Sequence, residues 1–194
     1  MYNVSMPEKK YIITIAGRPG SGKSTAAKIV AAELGYKHFS SGELFRQIST
    51  EYGFDILGGN LHAEQNKIID ETVDQRLRDL GETKDNLVID SRMAWYWMPQ
   101  SFKVYLDLDM LTAAKRILAN IDKHRAAAEN IPEDPDEYEK ILTERLESEV
   151  RRYDALYGVN PYDLDNYDLV INTSDNDVAQ TARLILDSFK HWTH

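Results

Sequence analysis

An open α/β domain is the fold class that the sequence predicts: a five-stranded parallel sheet with helices on both faces, a three-layer α/β/α sandwich. Three observations carry it. Strand-sized apolar runs alternate with longer stretches of helical periodicity. The connections between them are short, and the runs are apolar at consecutive positions, as strands buried on both faces require.

Tyr11 to Ala16 is the first such run, rich in β-branched residues and ended by Gly17-Arg18-Pro19-Gly20-Ser21-Gly22. Ala26, Ala27, Val30, Ala31 and Leu34 then recur at helical spacing, and Gly35 reads as the stop. Tyr36 to Phe39 is a weak strand, and Ser40-Ser41-Gly42-Glu43 starts a helix with a capping box. Leu61, Ile68, Ile69, Val73, Leu77 and Leu80 form the apolar face of a long helix that ends at Gly81. Leu87 to Asp90 and Val104 to Asp107 are buried-type strands, each running into an aspartate. Asp109 caps a helix carrying Ala113, Ala114, Ile117 and Leu118, and Asp134-Pro135-Asp136-Glu137 opens another. Asn160-Pro161 opens a short turn of helix, Leu169 to Asn172 is the last strand, and Ser174 caps a terminal helix through Ala182, Ile185, Leu186 and Phe189.

The 194 residues are one domain's worth, 42% hydrophobic and 28% charged, the balance of a globular protein with a sizeable core. The net charge of −9 disfavours nucleic acid or an anionic membrane as a partner, so phosphate chemistry must come from a local cluster of cations. With no cysteine there is no disulfide, zinc–thiolate site or thiol nucleophile, which fits a reducing, cytoplasmic setting. The first ten residues include Glu8, Lys9 and Lys10 and lack the apolar run of a signal peptide. A monomer is expected, since no surplus apolar helix face stands out. The acidic run from Glu129 to Glu139, with Pro132 and Pro135, is the one clear shift in composition.

Gly17 to Ser24 matches the phosphate-loop pattern G-x-x-x-x-G-K-[ST], and it sits between a buried strand and an amphipathic helix. Glycines let successive N–H groups curl around phosphates, and the helix that follows points its free N–H groups and dipole at the same anion. Lys23 reaches the terminal phosphates and the Ser24 hydroxyl can ligate Mg²⁺. A second magnesium-side carboxylate is expected at a strand end. Asp90 is favoured over Asp107, because Arg92 follows it two residues later. Arg46, Arg92, Arg116 and the pair Arg151-Arg152 fall at element ends around the loop, the placement of a phosphate clamp.

The phosphate loop, Ser40-Ser41-Gly42-Glu43-Leu44-Phe45-Arg46, Ile89-Asp90-Ser91-Arg92 and the stretch from Tyr167 to Ser174 together resemble the nucleoside monophosphate kinases. Arg151 to Gly158 and Ile69 to Leu77 are similar to the short, archaeal-type cytidylate kinases in particular. The resemblance runs from Tyr11 to Leu186. It implies a single P-loop NTPase domain over residues 1–194, with a monophosphate-binding insertion at about 40–80 and a lid at about 120–158. The implied reaction moves the γ-phosphoryl of ATP to CMP or dCMP with Mg²⁺, held by Ser24 and Asp90. It further implies that Gly17 to Ser24, Thr25 and Arg116 hold ATP, with Arg116 near the donor base. Ser41, Gly42, Arg46 and Arg92 hold the acceptor. Lys23, Asp90, Arg92, Arg151 and Arg152 serve the transfer, the last two from a mobile lid. Asp74, with Asp70 and Arg76, falls where the family binds the monophosphate; it either reads the cytosine amine or pairs with Arg78 on a solvated face.

Some features depart from the family pattern. The acid-Gly-Arg signature reads Asp90-Ser91-Arg92 here, and the lid lacks the dense arginine motif of bacterial cytidylate kinases. The missing cysteines exclude the zinc lid of some adenylate kinases. Trp95-Tyr96-Trp97 favours packing over base stacking. Rival readings are a kinase for another nucleotide or a hydroxyl acceptor, with Asp90 as its base, and a regulatory nucleotide-binding module. A GTP switch is excluded by the lack of an Asn-Lys-x-Asp segment. His124, near the lid, reads as exposed and not catalytic.

Overall fold

A computed structural model describes residues 10–53, 63–121, 126 and 130–193. Leu61, His124 and Glu129, named above, lie outside them. The chain runs β1 (Ile12–Gly17), α1 (Lys23–Leu34), β2 (Lys37–Ser40), α2 (Ser41–Glu51), α3 (Ala63–Thr83), β3 (Leu87–Asp90), α4 (Ala94–Trp97) and β4 (Phe102–Asp107). It continues with α5 (Met110–Asn120), α6 (Pro135–Tyr157), a 3₁₀ turn (Leu164–Asn166), β5 (Leu169–Asn172) and α7 (Val178–Thr193). All five strands are parallel, in the order β2-β3-β1-β4-β5. The chain leaves β1 towards one side and later returns to build the other, so a ligand crevice opens at the carboxyl ends of β1 and its neighbours.

Alternation along the strands makes two cores. Ile13 and Ile15 of β1, Val88 of β3 and Phe102, Val104 and Leu106 of β4 pack with α1 and α7. Ile12, Leu87 and Ile89 point the other way, onto Ile48 of α2, Ile69, Val73 and Leu77 of α3, and Met98. A period of two thus supplies both faces of a sheet from one apolar run. A third cluster joins α5 to α6 through Ala113, Ala114, Tyr138 and Leu142. Among the described residues, no helix is long and apolar enough to cross a membrane.

Several local expectations are corrected. Gly81 does not end α3, which runs on to Thr83. The glycine is there for packing: a Cβ on it would lie 2.8 Å from Cγ of Met98, a fully buried side chain. The stop is supplied from outside, where the Lys10 ammonium donates to the carbonyls of Gly81 (2.7 Å) and Glu82. Ile68 is 44% exposed and not part of the buried stripe. Ser174 does not cap the last helix. Asp177 does, accepting from the Gln180 amide at 2.7 Å while the Gln180 side chain accepts from the Asp177 N–H at 2.9 Å. Asn160 forms a turn with Tyr162, and the 3₁₀ turn starts later, capped by Asp163. Gly81→Ala is expected to destabilise the protein by about 1–3 kcal/mol despite alanine's better helix propensity, because overpacking outweighs it. Chemical denaturation measures this, and Gly81→Ala with Met98→Ala should show no residual clash.

Candidate active site

The phosphate loop is shaped by close backbone approach. Gly17, at φ 144°, lies so near β4 that a Cβ there would fall 2.2 Å from the Leu106 carbonyl oxygen. Gly20 and Gly22 also take positive φ, at 71° and 83°. The Arg18 N–H donates to the Leu106 carbonyl at 3.1 Å, tying the loop to the sheet. Lys23 starts α1, and its ammonium folds back to donate to the Arg18 carbonyl at 2.8 Å. Burial, aided by the nearby Arg92 guanidinium, pushes the Lys23 pKa down to about 8, while Asp90 and Glu149 oppose the shift. Ser21 is buried in the loop and its hydroxyl has no hydrogen-bond partner among the described residues. Pro19 completes the loop, and Thr25 follows it, exposed at the start of α1.

The two strand-end aspartates have different partners. The Ser24 hydroxyl donates directly to Asp90, so the two oxygen donors expected around magnesium stand side by side. Asp107 instead pairs with Arg18, Nε to Oδ1 at 2.9 Å, with the N–H directed off the line of contact. Ser24 and Asp90 therefore fit the ion chemically, and Asp107 is already occupied by the loop's own arginine.

Beyond the loop lies a set of paired charges built on two buried carboxylates, Asp70 and Glu149. Arg92 Nε is 3.0 Å from Oε2 of Glu149, a residue only 7% exposed on α6. The same carboxylate accepts from the Tyr162 hydroxyl and lies 3.5 Å from Arg145 Nε. Burial opposes charge on both partners, yet their mutual attraction prevails: Arg92 is held more firmly protonated and Glu149 below the usual carboxylate range. Arg152 lies 3.5 Å from Asp70, whose pKa burial pushes up to about 6. Arg151 is not brought to this cluster; it is 71% exposed and pairs with Glu147 at 3.8 Å.

Asp74, 4% exposed, is engaged on both oxygens, accepting from the Trp97 indole at 2.9 Å and from the Tyr157 hydroxyl. Arg78 stacks on Trp97, 3.8 Å from the ring centroid. Trp95, Tyr96 and Trp97 form the one-turn helix α4 and pack edge-on among Tyr157 and Tyr167. Arg76 lies apart from these charges, beside Asp79 and Lys84 in a groove between α2 and α3. Ser41 and Gly42 open α2 against β3, the Ser41 hydroxyl reaching the Asp90 carbonyl at 3.3 Å. Arg46 curls back to this helix start, within 3.7 Å of where a Cβ on Gly42 would be.

On the other side of the loop a cleft of about 590 Å³ is lined by Gly20, Ser21 and Gly22 together with Arg116, Asn120, Asn176 and Val178. Arg116 spans it, donating to the carbonyls of Thr173 (2.8 Å) and Ser174 (3.2 Å).

Glu149 and Arg145 were missed by the sequence reading. Their signal is the spacing Arg145-x-x-x-Glu149-x-x-Arg152, which sets all three on one helical face. The lowered Lys23 pKa has a measurable consequence. At pH 8.5 the free protein holds Lys23 mostly neutral, and a bound phosphate chain restores its proton. Nucleotide binding is therefore expected to take up protons at that pH, and less as the pH falls below 8. Calorimetry in buffers of different ionisation enthalpy measures it, and Lys23→Met should abolish the uptake.

A phosphate loop after β1, a carboxylate at the end of the neighbouring strand and an arginine beside it are the architecture of the P-loop kinases. Solved structures agree on the fold: shikimate kinase from Bacteroides thetaiotaomicron superposes with a TM-score of 0.63 at 16% identity, covering 93% of this chain and 98% of that one. A gluconokinase from Sinorhizobium meliloti gives 0.56 at 15% identity, covering 95% and 94%. The chain belongs to the cytidylate kinase-like family, whose model matches residues 12–175. It is 35% identical to a cytidylate kinase of Halobacterium salinarum over 91% of this chain and 88% of that protein. A cytidylate kinase of Sulfurisphaera tokodaii is 36% identical, over 90% and 92% respectively.

Proposed function

We propose that the protein transfers the γ-phosphoryl group of ATP to the phosphate of CMP or dCMP, giving ADP and the cytidine diphosphate. The observation that carries this reading is the half-buried Arg92, close enough to the phosphate loop to perturb Lys23 and accompanied by Arg145 and Arg152. This supports a second phosphate-binding centre near the end of β3, beside the one the loop provides. An acceptor that is already an anion supplies its own nucleophilic oxygen, so no general base is required. That oxygen bonds to the γ-phosphorus as the bond to the β–γ bridging oxygen breaks.

The chain's residues divide the work. The loop amides and Lys23 bind the donor phosphates, and Arg116 borders the donor base. Ser41, Gly42 and Arg46 at the start of α2 bind the acceptor phosphate with Arg92. Ser24 and Asp90 would hold Mg²⁺, which neutralises phosphate charge when bound. Arg145 and Arg152 extend from α6 over the transferring group, stabilising charge that spreads over its equatorial oxygens. The names of the curated relatives support cytidylate as the acceptor.

The test is ADP release from Mg·ATP across a panel of monophosphates, with shikimate and gluconate as hydroxyl acceptors and a control without acceptor. CMP and dCMP are expected to be fastest, at least about 100-fold above the control, with the diphosphate recovered as product. Faster turnover with a hydroxyl acceptor would overturn the reading.

A further inference from the structure

Asp70 and Asp74 stand one turn apart on the same face of α3, both nearly buried, and their surroundings differ. Asp74 is saturated, because the Trp97 indole and the Tyr157 hydroxyl each donate to one of its oxygens. Asp70 is 8% exposed, yet its Oδ2 has no hydrogen-bond partner among the described residues. The cation facing it is Arg152 of α6, with Nη1 3.5 Å from Oδ2, longer than a well-formed hydrogen bond. The neighbouring pair is tighter: Arg92 Nε lies 3.0 Å from the Glu149 carboxylate, which also accepts from Tyr162. Arg152 is held loosely by comparison. Its Nε has no hydrogen-bond partner among the described residues, its Nη2 reaches the Tyr153 hydroxyl only at 3.5 Å, and its side chain is half-buried.

Asp70 thus keeps an unused acceptor and Arg152 unused donors, at a separation where the charges attract without closing a bond. A buried carboxylate in that state is costly, since it has lost water and gained no donor in its place. Burial accordingly pushes its pKa up to about 6, with Asp74 and Glu149 adding to the rise and Arg152 and Arg92 opposing it. The Tyr153 hydroxyl lies within electrostatic reach of the same carboxylate.

We propose that Asp70 is the counter-ion on which Arg152 waits in the free protein, and that the acceptor's phosphate draws Arg152 away from it. This rests on the reading that the protein phosphorylates a nucleoside monophosphate. A phosphate meets the planar guanidinium with two parallel N–H bonds, where Asp70 offers only a loose contact. Asp70, deprived of its cation, takes a proton from solvent and stays in place as a neutral acid. When the acceptor leaves, that proton returns to solvent and Arg152 returns to α3. Arg152 therefore comes beside the transferring group only when an acceptor is bound, and water meets ATP without its help.

Asp70→Asn tests this, because it removes the counter-ion and keeps the shape. Well above pH 6 Asp70 is charged in the free protein and holds Arg152; well below, it is already protonated and the hold is gone. The KM for CMP in Asp70→Asn is therefore expected to be about tenfold below that of the unaltered protein near pH 8, and equal to it near pH 5. Ionisation of the CMP phosphate is common to both proteins and cancels in the ratio. ADP release from Mg·ATP without acceptor should rise several-fold in the variant near pH 8. A KM that is unchanged or raised there overturns the proposal, as does acceptor-free hydrolysis that does not rise. If the variant does not fold, calorimetry of CMP binding near pH 7 decides. The unaltered protein should take up protons that Arg152→Met does not, and equal uptake by the two overturns the proposal. Transfer to CMP with an unchanged KM leaves the acceptor right and the exchange wrong. Tighter CMP binding by Asp70→Asn, without transfer, leaves the exchange intact and the reaction wrong.

Discussion

Lys23→Ala is expected to give a folded protein whose phosphoryl transfer is slowed by at least about a thousandfold, a loss of more than about 4 kcal/mol of transition-state stabilisation. Lys23 belongs to none of the apolar clusters that join the sheet to its helices. Among the described residues its ammonium makes one hydrogen bond, to the part-buried carbonyl of Arg18 in the same loop. Burial already disfavours its charge, as the pKa of about 8 shows, so removing the charge relieves a cost of folding. That cost is what a charge must bear to meet phosphates away from bulk water, where it acts more strongly. The checks are kcat with CMP and a thermal melt on the same preparation. Turnover within tenfold of the unaltered protein, with the melt unchanged, would remove Lys23 from the reaction.

The loop and the sheet were legible because their constraints are local. A strand buried on both faces must be apolar throughout, and a loop around phosphates must have glycines at fixed spacing, so β1 and Gly17 to Ser24 read directly. Asp90, favoured over Asp107 from Arg92 close behind it, stands beside Ser24, while Asp107 pairs with Arg18. Less was readable where a residue's role depends on a distant partner. Gly81 looks like a helix stop in sequence, and only the approach of Met98 shows it to be a packing position. The switch of cap from Ser174 to Asp177 follows from Gln180, which completes a reciprocal pair that Ser174 lacks. In the candidate site, Arg151 and Arg152 are adjacent in sequence but point about 100° apart around a helix, so one faces Asp70 and the other solvent. Asp74 was open between base reading and a pairing with Arg78; it is instead bonded to Trp97 and Tyr157, a contact across three helices that no spacing rule reveals. Glu149 looked like one more acid on a charged helix. Its partner Arg92 comes from the far end of a strand.

That partnership gives the second large effect. Arg92→Ala removes the cation next to Glu149 and leaves a nearly buried carboxylate with the Tyr162 hydroxyl and Arg145, whose own side chain is 58% exposed. Breaking a buried pair by removing one partner costs several kcal/mol. The Arg92 side chain is 32% exposed, which puts the expected loss at the lower end, about 3 kcal/mol, or roughly 6–12 °C in Tm. Phosphoryl transfer should fall with it, through a raised KM for the monophosphate and a lower kcat, while ATP affinity changes little. Since instability and lost binding arrive together, the single variant cannot assign them. Arg92→Ala/Glu149→Gln can: the neutral amide no longer needs the cation, so most of the lost Tm should return, but the acceptor site still lacks its guanidinium and turnover should stay low. Arg46→Ala is the companion, because Arg46 is exposed near the start of α2 and its loss should raise the acceptor KM with little change in Tm. If the double variant regains both stability and acceptor use, Arg92 serves only to neutralise Glu149, and the second phosphate centre must lie elsewhere.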